Sequence, residues 1–264
     1  MRLRPPFKYY GGKYYVSPWI IDMFCQHDLY LEPFGGAASV LLNKPVSPDE
    51  IYADLNKDIV NLMRQIQQNI LALCERLRDI KCEESVFREW KSKNCTEEFE
   101  SAIKTFVLHR MSRGGVGGTF SKSTRKYRDM YEHESSWFSG IDNLFNISKR
   151  LENVKIMCSK ATDLINEFDS EKSLIYLDPP YLRSLRSTPW SAYTVEMDDS
   201  EHEDLLNLCK TCKSKIVISG YQSELYDDML SDWTKLKKSS FLHSGHVKPG
   251  SVKKKAEECV WKNF

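Results

Sequence analysis

Five short apolar runs are spread through the sequence and constrain its fold more than any other feature: LYLEPF at 29–34, EIYAD at 50–54, VKIMCSK at 154–160, SLIYLD at 173–178 and KIVISGY at 215–221. Helical or loop sequence separates each run from the next. Continuous apolar strands suit a sheet buried on both faces, and strands separated by helices run parallel, so the pattern predicts an α/β fold. Three of the runs end in an acid or in Gly-Tyr. Ligands of open α/β sheets sit at the carboxyl ends of the strands, so functional residues are expected there.

With 264 residues and 41% hydrophobic content, the chain can bury a full core, as one large domain or as a domain carrying an insertion. No run approaches the ~18 apolar residues of a membrane span, and the N-terminal MRLRPPFKYYGGK lacks the apolar stretch of a secretory signal. No membrane partner and a cytoplasmic location are expected. The eight cysteines are scattered, which fits reduced thiols rather than a disulfide framework. Cys209 and Cys212 have a redox or zinc spacing, but no second pair accompanies them. No metal is therefore expected, and helix packing is the reading for both.

About a hundred residues between the second and third runs break the rhythm. Ile59, Leu62, Met63, Ile66, Ile70, Leu73, Leu77 and Ile80 recur at helical spacing, a further helix is predicted near Ser101 to Met111, and RGGVGGTFSKSTRKYR follows at 113–128. Residues 57–150 thus read as a mainly helical insertion into a domain made of 1–56 and 151–264. The glycine-rich loop could cradle phosphate, but it follows a helix and lacks G-x-x-x-x-G-K-[ST]. A loop or hairpin facing DNA is the more economical reading.

The net charge of +1 conceals local excess. Arg110, Arg113, Lys122, Arg125, Lys126 and Arg128 have no acid among them, and residues 235–255 hold seven lysines and no acid. Arg2, Arg4, Lys8 and Lys13 add to this. Such stretches fit either a polyanion held through its phosphates or an ordinary solvated surface. Charge alone does not separate the two.

In LEPFGGAAS the strand is expected to turn at Pro33, with Gly35 and Gly36 letting the backbone approach a ligand and a short helix running from about Ala37 to Asn43. About twenty residues after Glu32 the second run ends in Asp54, the usual place of a carboxylate that accepts hydrogen bonds from ribose hydroxyls. NAD would fit, but a full G-x-G-x-x-G is missing. A cofactor with a nucleoside and no pyrophosphate fits better, which describes S-adenosylmethionine. Asp54 could instead cap a helix beginning near Lys57, and Asp-Pro-Pro could simply end a strand. Their coincidence with the glycine turn at adjacent strand ends favours a site. His109 and His202 have no triad partner and receive no catalytic role.

At this point the sequence resembles a known family. KYYGGK (8–13), EPFGGAASV (32–40), ADLN (53–56), the helical insertion and DPPY (178–181) stand in the order found in Dam-type, alpha-class DNA N6-adenine methyltransferases. KATDLI around Asp163, VISGY at 217–221 and the closing EECVWKNF extend the likeness over most of the chain. The resemblance implies a Rossmann-like S-adenosylmethionine-dependent methyltransferase sheet in which the insertion recognises DNA. It implies that Tyr9, Gly11, Gly12 and Lys13 help hold the cofactor, with Lys13 reaching towards its carboxylate or the site rim. Glu32, Phe34 and Gly36 would form the turn under its methionine portion, Asp54 would accept its ribose and Asp163 would lie near its adenine. Asp178 would border cofactor and substrate alike. One departure concerns the glycine turn, where the family often carries a glycine and this chain has Ala38.

The chemistry of DPPY follows from adenine itself. Its exocyclic amine is a poor nucleophile because its lone pair is delocalised into the ring. An enzyme must hold the nitrogen near tetrahedral geometry, in line with the methyl donor. Two acceptors aimed at its two N–H bonds would do so: the Asp178 carboxylate and the Pro179 carbonyl. The carboxylate also stabilises the positive charge that develops on nitrogen. Pro179 and Pro180 fix the backbone, and Tyr181 offers a ring on which the base can stack. A paired adenine is unreachable, so base flipping is required. The polar segment after DPPY, with Pro189, Trp190 and Tyr193, reads as a loop that closes over the base, with Trp190 equally well read as an aromatic packed on the domain surface.

The expected function is site-specific methylation of adenine N6 in double-stranded DNA, at GATC or a related short site. A monomer is expected, with or without a cognate restriction endonuclease. The contacts to DNA are assigned to Arg110, Arg113, Lys122, Arg125, Lys126 and Arg128. A DNA-binding protein that keeps the pocket without turnover is the competing class, but it has no reason to retain Asp54, Asp178, Pro179 and Tyr181 together. Methylation of another amine, in protein glutamine or RNA adenine, would leave the basic insertion unexplained.

Overall fold

The protein is described by a computed structural model covering residues 2–127, 129–185, 195–241 and 255–264. In chain order its elements begin with α1 (Ser17–Ile21), β1 (Leu29–Glu32) and β2 (Asp49–Ala53). Helices α2 (Lys57–Gln68), α3 (Ile70–Arg78), α4 (Glu84–Ser92) and α5 (Glu98–Met111) follow, then the hairpin strands β3 (Lys126–Tyr127) and β4 (Met130–Tyr131) and the long α6 (Glu132–Leu151). The chain continues through β5 (Val154–Met157), α7 (Ala161–Phe168), β6 (Ser173–Leu177), α8 (Asp199–Thr211), β7 (Lys215–Tyr221) and α9 (Glu224–Met229). It ends in β8 (Thr234–Phe241) and β9 (Lys255–Lys262).

All five apolar runs are strands. They form the parallel part of a seven-stranded sheet of order β5-β2-β1-β6-β7-β9-β8, in which β9 and β8 are antiparallel. The alternation of side chains gives the sheet two cores. Tyr30, Tyr52, Leu174, Tyr176, Val217 and Val260 face the helices of the insertion. Leu31, Ile51, Ile175, Leu177, Ile218 and Trp261 face the other way, against apolar residues of α7, α8 and α9. This is a helix-sheet-helix sandwich, and the insertion shares its core with the sheet. Between β1 and β6 the strand order changes direction, which is where open α/β sheets bind ligands.

The long apolar periodicity from Ile59 to Ile80 forms two helices. Asn56 starts α2 by accepting hydrogen bonds from the backbone N–H groups of Asp58 and Ile59, and Asn69, with non-helical φ and ψ, breaks the run. Helix α6 packs Trp137, Ile141, Leu144, Ile147 and Leu151 inward. Its end is fastened to the sheet through a buried cluster. Arg150 donates to Glu50 Oε1 at 2.9 Å and to the Leu41 carbonyl at 2.7 Å, and Lys44 pairs with the same carboxylate.

Two expectations change. Ala37 to Asn43 form a chain of turns and not a helix, because Ala38 takes a left-handed backbone (φ 56°) that interrupts any helix there. Of the lysine-rich stretch at 235–255, residues 242–254 lie outside the described residues; the part in β8 is a strand whose cations are engaged locally. Lys235 pairs with Asp227, Lys237 with Glu257, and Lys238 lies over the Trp19 ring.

Candidate active site

Strand β1 ends at Glu32, buried beneath the turn that follows. Burial pushes its carboxyl up to about 8, while the Tyr30 hydroxyl and the Leu41 N–H, both donating to Oε2, oppose the rise. The same turn is held from the neighbouring strand. Asp54, at the end of β2, accepts from Gly36 N–H and from Asn56 N–H at 2.8 Å each. Burial raises the Asp54 carboxyl, against those backbone donors. Asn56 provides the side-chain cap of α2, and Asp54 provides the link between two strand ends.

Two aromatic rings enclose the turn. A Cβ on Gly35 would lie 2.1 Å from the Tyr52 ring, and one on Gly36, whose φ is +47°, would lie 2.8 Å from that of Tyr9. The Tyr52 hydroxyl donates to the Gly36 carbonyl at 2.7 Å. Tyr9 itself begins a β-turn closed by Gly12 N–H on its carbonyl, with Gly11 at φ 75° as the third residue. Tyr9, Gly11, Gly12, Glu32, Gly36 and Asp54 are thus brought together, with Phe34 half-buried in the adjoining core. Asp163 lies apart from these contacts, exposed in the first turn of α7.

Beside this turn, β6 delivers Asp178. Every residue of β6 is buried, and Pro179 and Pro180 end the strand because proline has no N–H for the ladder. Two donors converge on Oδ1: the Ser219 hydroxyl at 2.9 Å and the Lys13 ammonium at 2.7 Å. Oδ2 has no hydrogen-bond partner among the described residues, and the side chain keeps 18% of its surface exposed. Burial raises the Asp178 carboxyl, opposed by Lys13 and Ser219.

Of the two expectations for Lys13, reaching towards the cofactor's carboxylate or lying at the site rim, the structure does not match the second. Lys13 is buried, donates to the Gly11 carbonyl at 3.0 Å and to the Tyr181 hydroxyl, and reaches the carboxylates instead of solvent. Its neutralisation by two carboxylates offsets the desolvation cost that would drive an isolated ammonium outward. Tyr181 is also more enclosed than a stacking platform requires, at 8% exposure. Its ring packs against Tyr221 with centroids 4.3 Å apart, and its hydroxyl donates to Glu258 at 2.8 Å. Admission of a base to that ring needs local rearrangement.

Three of these neighbours escaped the sequence reading. Ser219 sits beside Asp178 because β7 pairs Ile218 with Leu177. Tyr221 lies one turn of the pleat further, in the Gly-Tyr ending already visible in KIVISGY. Glu258 is reached through antiparallel pairing: β9 sets Glu258 opposite Tyr221, so the beginning of β9 lies at the carboxyl edge of the parallel strands. An acid in the otherwise apolar ECVW was its signal in the sequence.

The basic stretch of the insertion is divided by the structure. Arg113, Lys122, Arg125 and Lys126 are exposed around the β3–β4 hairpin. Arg110 is a correction: it turns into the α5–α6 interface, donates to Ser136 and lies where a Cβ on Gly140 would be 2.3 Å from its guanidinium. Arg128, Pro189, Trp190 and Tyr193 fall outside the described residues. The glycines at 114–118 serve packing in part, since a Cβ on Gly115 would lie 2.2 Å from the Lys8 carbonyl. Cys209 is buried and Cys212 half-buried at the end of α8, and burial raises both thiols. No set of three or more candidate metal ligands gathers among the described residues, and no helix there is long and apolar enough to cross a membrane.

Comparison with known proteins places the chain among DNA adenine methyltransferases. A DNA adenine methylase of Salmonella typhimurium is 24% identical over 273 aligned positions, covering 96% of this chain and 92% of that protein. The type II methyltransferase M.MjaIII of Methanocaldococcus jannaschii is 25% identical, covering 80% of this chain and 79% of its own length. The DNA adenine methylase of Haemophilus influenzae is likewise 25% identical, over 83% of this chain. The family model of the D12 class N6 adenine-specific DNA methyltransferases matches residues 9–243. With the glycine turn, Asp54 and DPPY assembled at one sheet edge and most of its length matched by that model, the chain belongs to the D12 class of N6 adenine-specific DNA methyltransferases.

Proposed function

We propose that the protein methylates N6 of an adenine flipped out of duplex DNA, with S-adenosylmethionine as methyl donor and Asp178 as the residue that grips the target amine. The observation that carries this reading is the asymmetry of the Asp178 carboxylate. Oδ1 is fixed by Lys13 and Ser219, while Oδ2 is without a partner among the described residues on a side chain that is not fully buried.

The residues present suit the cofactor. Asp54 spends one acceptor site on each oxygen on backbone N–H groups and retains further lone pairs for a ribose diol. The turn at Gly35 and Gly36 is fixed by its own backbone hydrogen bonds and by the Tyr9 and Tyr52 rings, which holds Asp54 in place beside it. When bound, S-adenosylmethionine supplies an electrophilic methyl group on a sulfonium. Tyr9, Gly11, Gly12, Lys13, Glu32, Phe34, Gly36, Asp54, Asp163 and Asp178 are the residues assigned to holding it.

Asp178 Oδ2 accepts a hydrogen bond from the exocyclic amine, the Pro179 carbonyl accepts the second, and the carboxylate stabilises positive charge on that nitrogen. Pro180 stiffens the turn, and Tyr181 supports the base. Because the amine of a paired adenine is buried in the stack, the base must leave the duplex. Residues 57–150 form the recognition unit, with Arg113, Lys122, Arg125 and Lys126 on the phosphate-facing side.

Asp178→Ala is expected to abolish methyl transfer to DNA, while cofactor binding by calorimetry stays measurable. Turnover at the wild-type rate in that variant contradicts the role given to Asp178. Sequencing of methylated adenines in DNA from cells expressing the wild type identifies the target site.

A further inference from the structure

The Lys13 ammonium creates an electrostatic difficulty for the reaction. When an amine is methylated, its lone pair forms the new N–C bond while the C–S bond of the donor breaks, with the bonding pair going to sulfur. The nitrogen carries positive charge until an N–H proton passes to water. A carboxylate is useful here to the extent that its negative charge is uncompensated. Yet Lys13 Nζ lies 2.7 Å from Asp178 Oδ1 and is itself only 5% exposed, so little solvent screens it. Taken as a pair, Lys13 and Asp178 present that nitrogen with a dipole and no net charge.

A second carboxylate stands on the other side of the ammonium. Glu258 Oε1 is 3.6 Å from Lys13 Nζ, with its side chain 8% exposed. The same oxygen accepts from the Tyr181 hydroxyl at 2.8 Å, and that hydroxyl accepts in turn from Lys13. Burial raises the carboxyls of Asp178 and Glu258, and Lys13 acts against the rise in both. With both carboxylates ionised, the trio of Lys13, Asp178 and Glu258 carries a net charge of about −1.

We propose that Glu258 is a positioning residue for methyl transfer: it neutralises Lys13, so that Asp178 presents its charge to the target amine, and it fixes the Tyr181 ring through its hydroxyl. The proposal rests on the role given above to Asp178. It also accounts for a buried acid within β9, an antiparallel strand that meets the carboxyl edge of the parallel strands at Tyr221.

Glu258→Gln tests it, since Gln keeps the size and an acceptor oxygen for Tyr181 and removes only the charge. The substrate is a duplex oligonucleotide carrying the site identified by sequencing, with 2-aminopurine at the target adenine for the flipping measurement. The expected result is a single-turnover rate lowered by about tenfold, with DNA affinity, cofactor affinity and the 2-aminopurine signal changed less than about twofold. Glu258→Asp, which restores a carboxylate at shorter reach, is expected to recover about threefold over the Gln variant. A Gln variant within twofold of wild type while Asp178→Ala is inactive overturns the proposal alone. So does a Gln variant whose rate and affinities fall together, or an Asp variant with no recovery. Wild-type turnover by Asp178→Ala overturns the Asp178 role and this inference with it.

Discussion

Ala38 is the residue whose backbone conformation its side chain least favours. It is fully buried at φ 56°, where a left-handed conformation costs a residue with a Cβ about 1–2 kcal/mol. The conformation is imposed by its surroundings. Glu32 holds Leu41, Asp54 holds Gly36, and Tyr52 holds the Gly36 carbonyl, so the turn has no freedom to relax. Replacing a buried alanine by glycine loses a methyl worth about 0.8 kcal/mol and adds unfolded-state entropy of about 0.5–1 kcal/mol. At Ala38 the relief of strain offsets both. Ala38→Gly is therefore expected to be nearly neutral, within about 0.5 kcal/mol, whereas Ala37→Gly, buried next to it without a positive φ, costs about 1.5 kcal/mol. Urea titration of the two variants decides the matter, and an equal cost at both positions would refute the strain argument.

Elements decide which of the basic residues can meet a polyanion. The loop leaving α5 is closed by a bridge between Ser112 and Phe120, and the chain then runs through Ser123, Arg125 and Lys126 into the β3–β4 hairpin. Its exposed cations have no core to serve. Arg110, in the last turn of α5, is committed to α6 and loses much of its solvation, which lowers its guanidinium to about 10. The two positions predict different losses. Arg125→Ala is expected to weaken DNA binding and to reduce the slope of log affinity against log salt by about 1, with folding unchanged. Arg110→Ala is expected to lower stability and leave that slope intact. The salt dependence of DNA affinity for both variants, alongside thermal melts, is the check, and a lost phosphate contact in Arg110→Ala would reverse the assignment. The same division applies to β8, where Lys235 and Lys237 are tied to acids of the same sheet region, so lysines adjacent in sequence there are not free charges in space.

At the scale of the whole molecule, the pH dependence of stability reflects the carboxyls gathered at one sheet edge. Glu32 titrates at about 8 in the folded protein against 4.5 ordinarily, so the folded state holds a proton that the unfolded chain releases. Its contribution to stability is complete below pH 4.5 and declines, by at most about 1.4 kcal/mol per pH unit, until about pH 8. Glu50 and Asp169, whose carboxyls are lowered, act in the opposite sense and lose their contribution as the pH falls. Glu32→Gln keeps acceptors for Tyr30 and Leu41, so unfolding free energies measured from pH 5 to 8 are expected to flatten in that variant. An unchanged slope would place the proton elsewhere. Much of this molecule was legible in its sequence. Continuous hydrophobicity marked the five parallel strands, since burial on both faces leaves no alternative pattern, and the acids that interrupt those runs marked the site, since a carboxylate at the end of a buried strand needs a reason to be there. Ala38 already stood out in the glycine turn. What only the tertiary structure decided depends on direction and proximity, which composition does not encode. Antiparallel pairing brings Glu258 to an edge where strand ends alone are expected, close packing against Gly140 takes Arg110 out of solvent, and two carboxylates draw Lys13 into the interior. Sequence thus determined which groups the chain possesses and which strands carry them, while packing determined which charges stay free, because a charge is neutralised by neighbours in space and not along the chain.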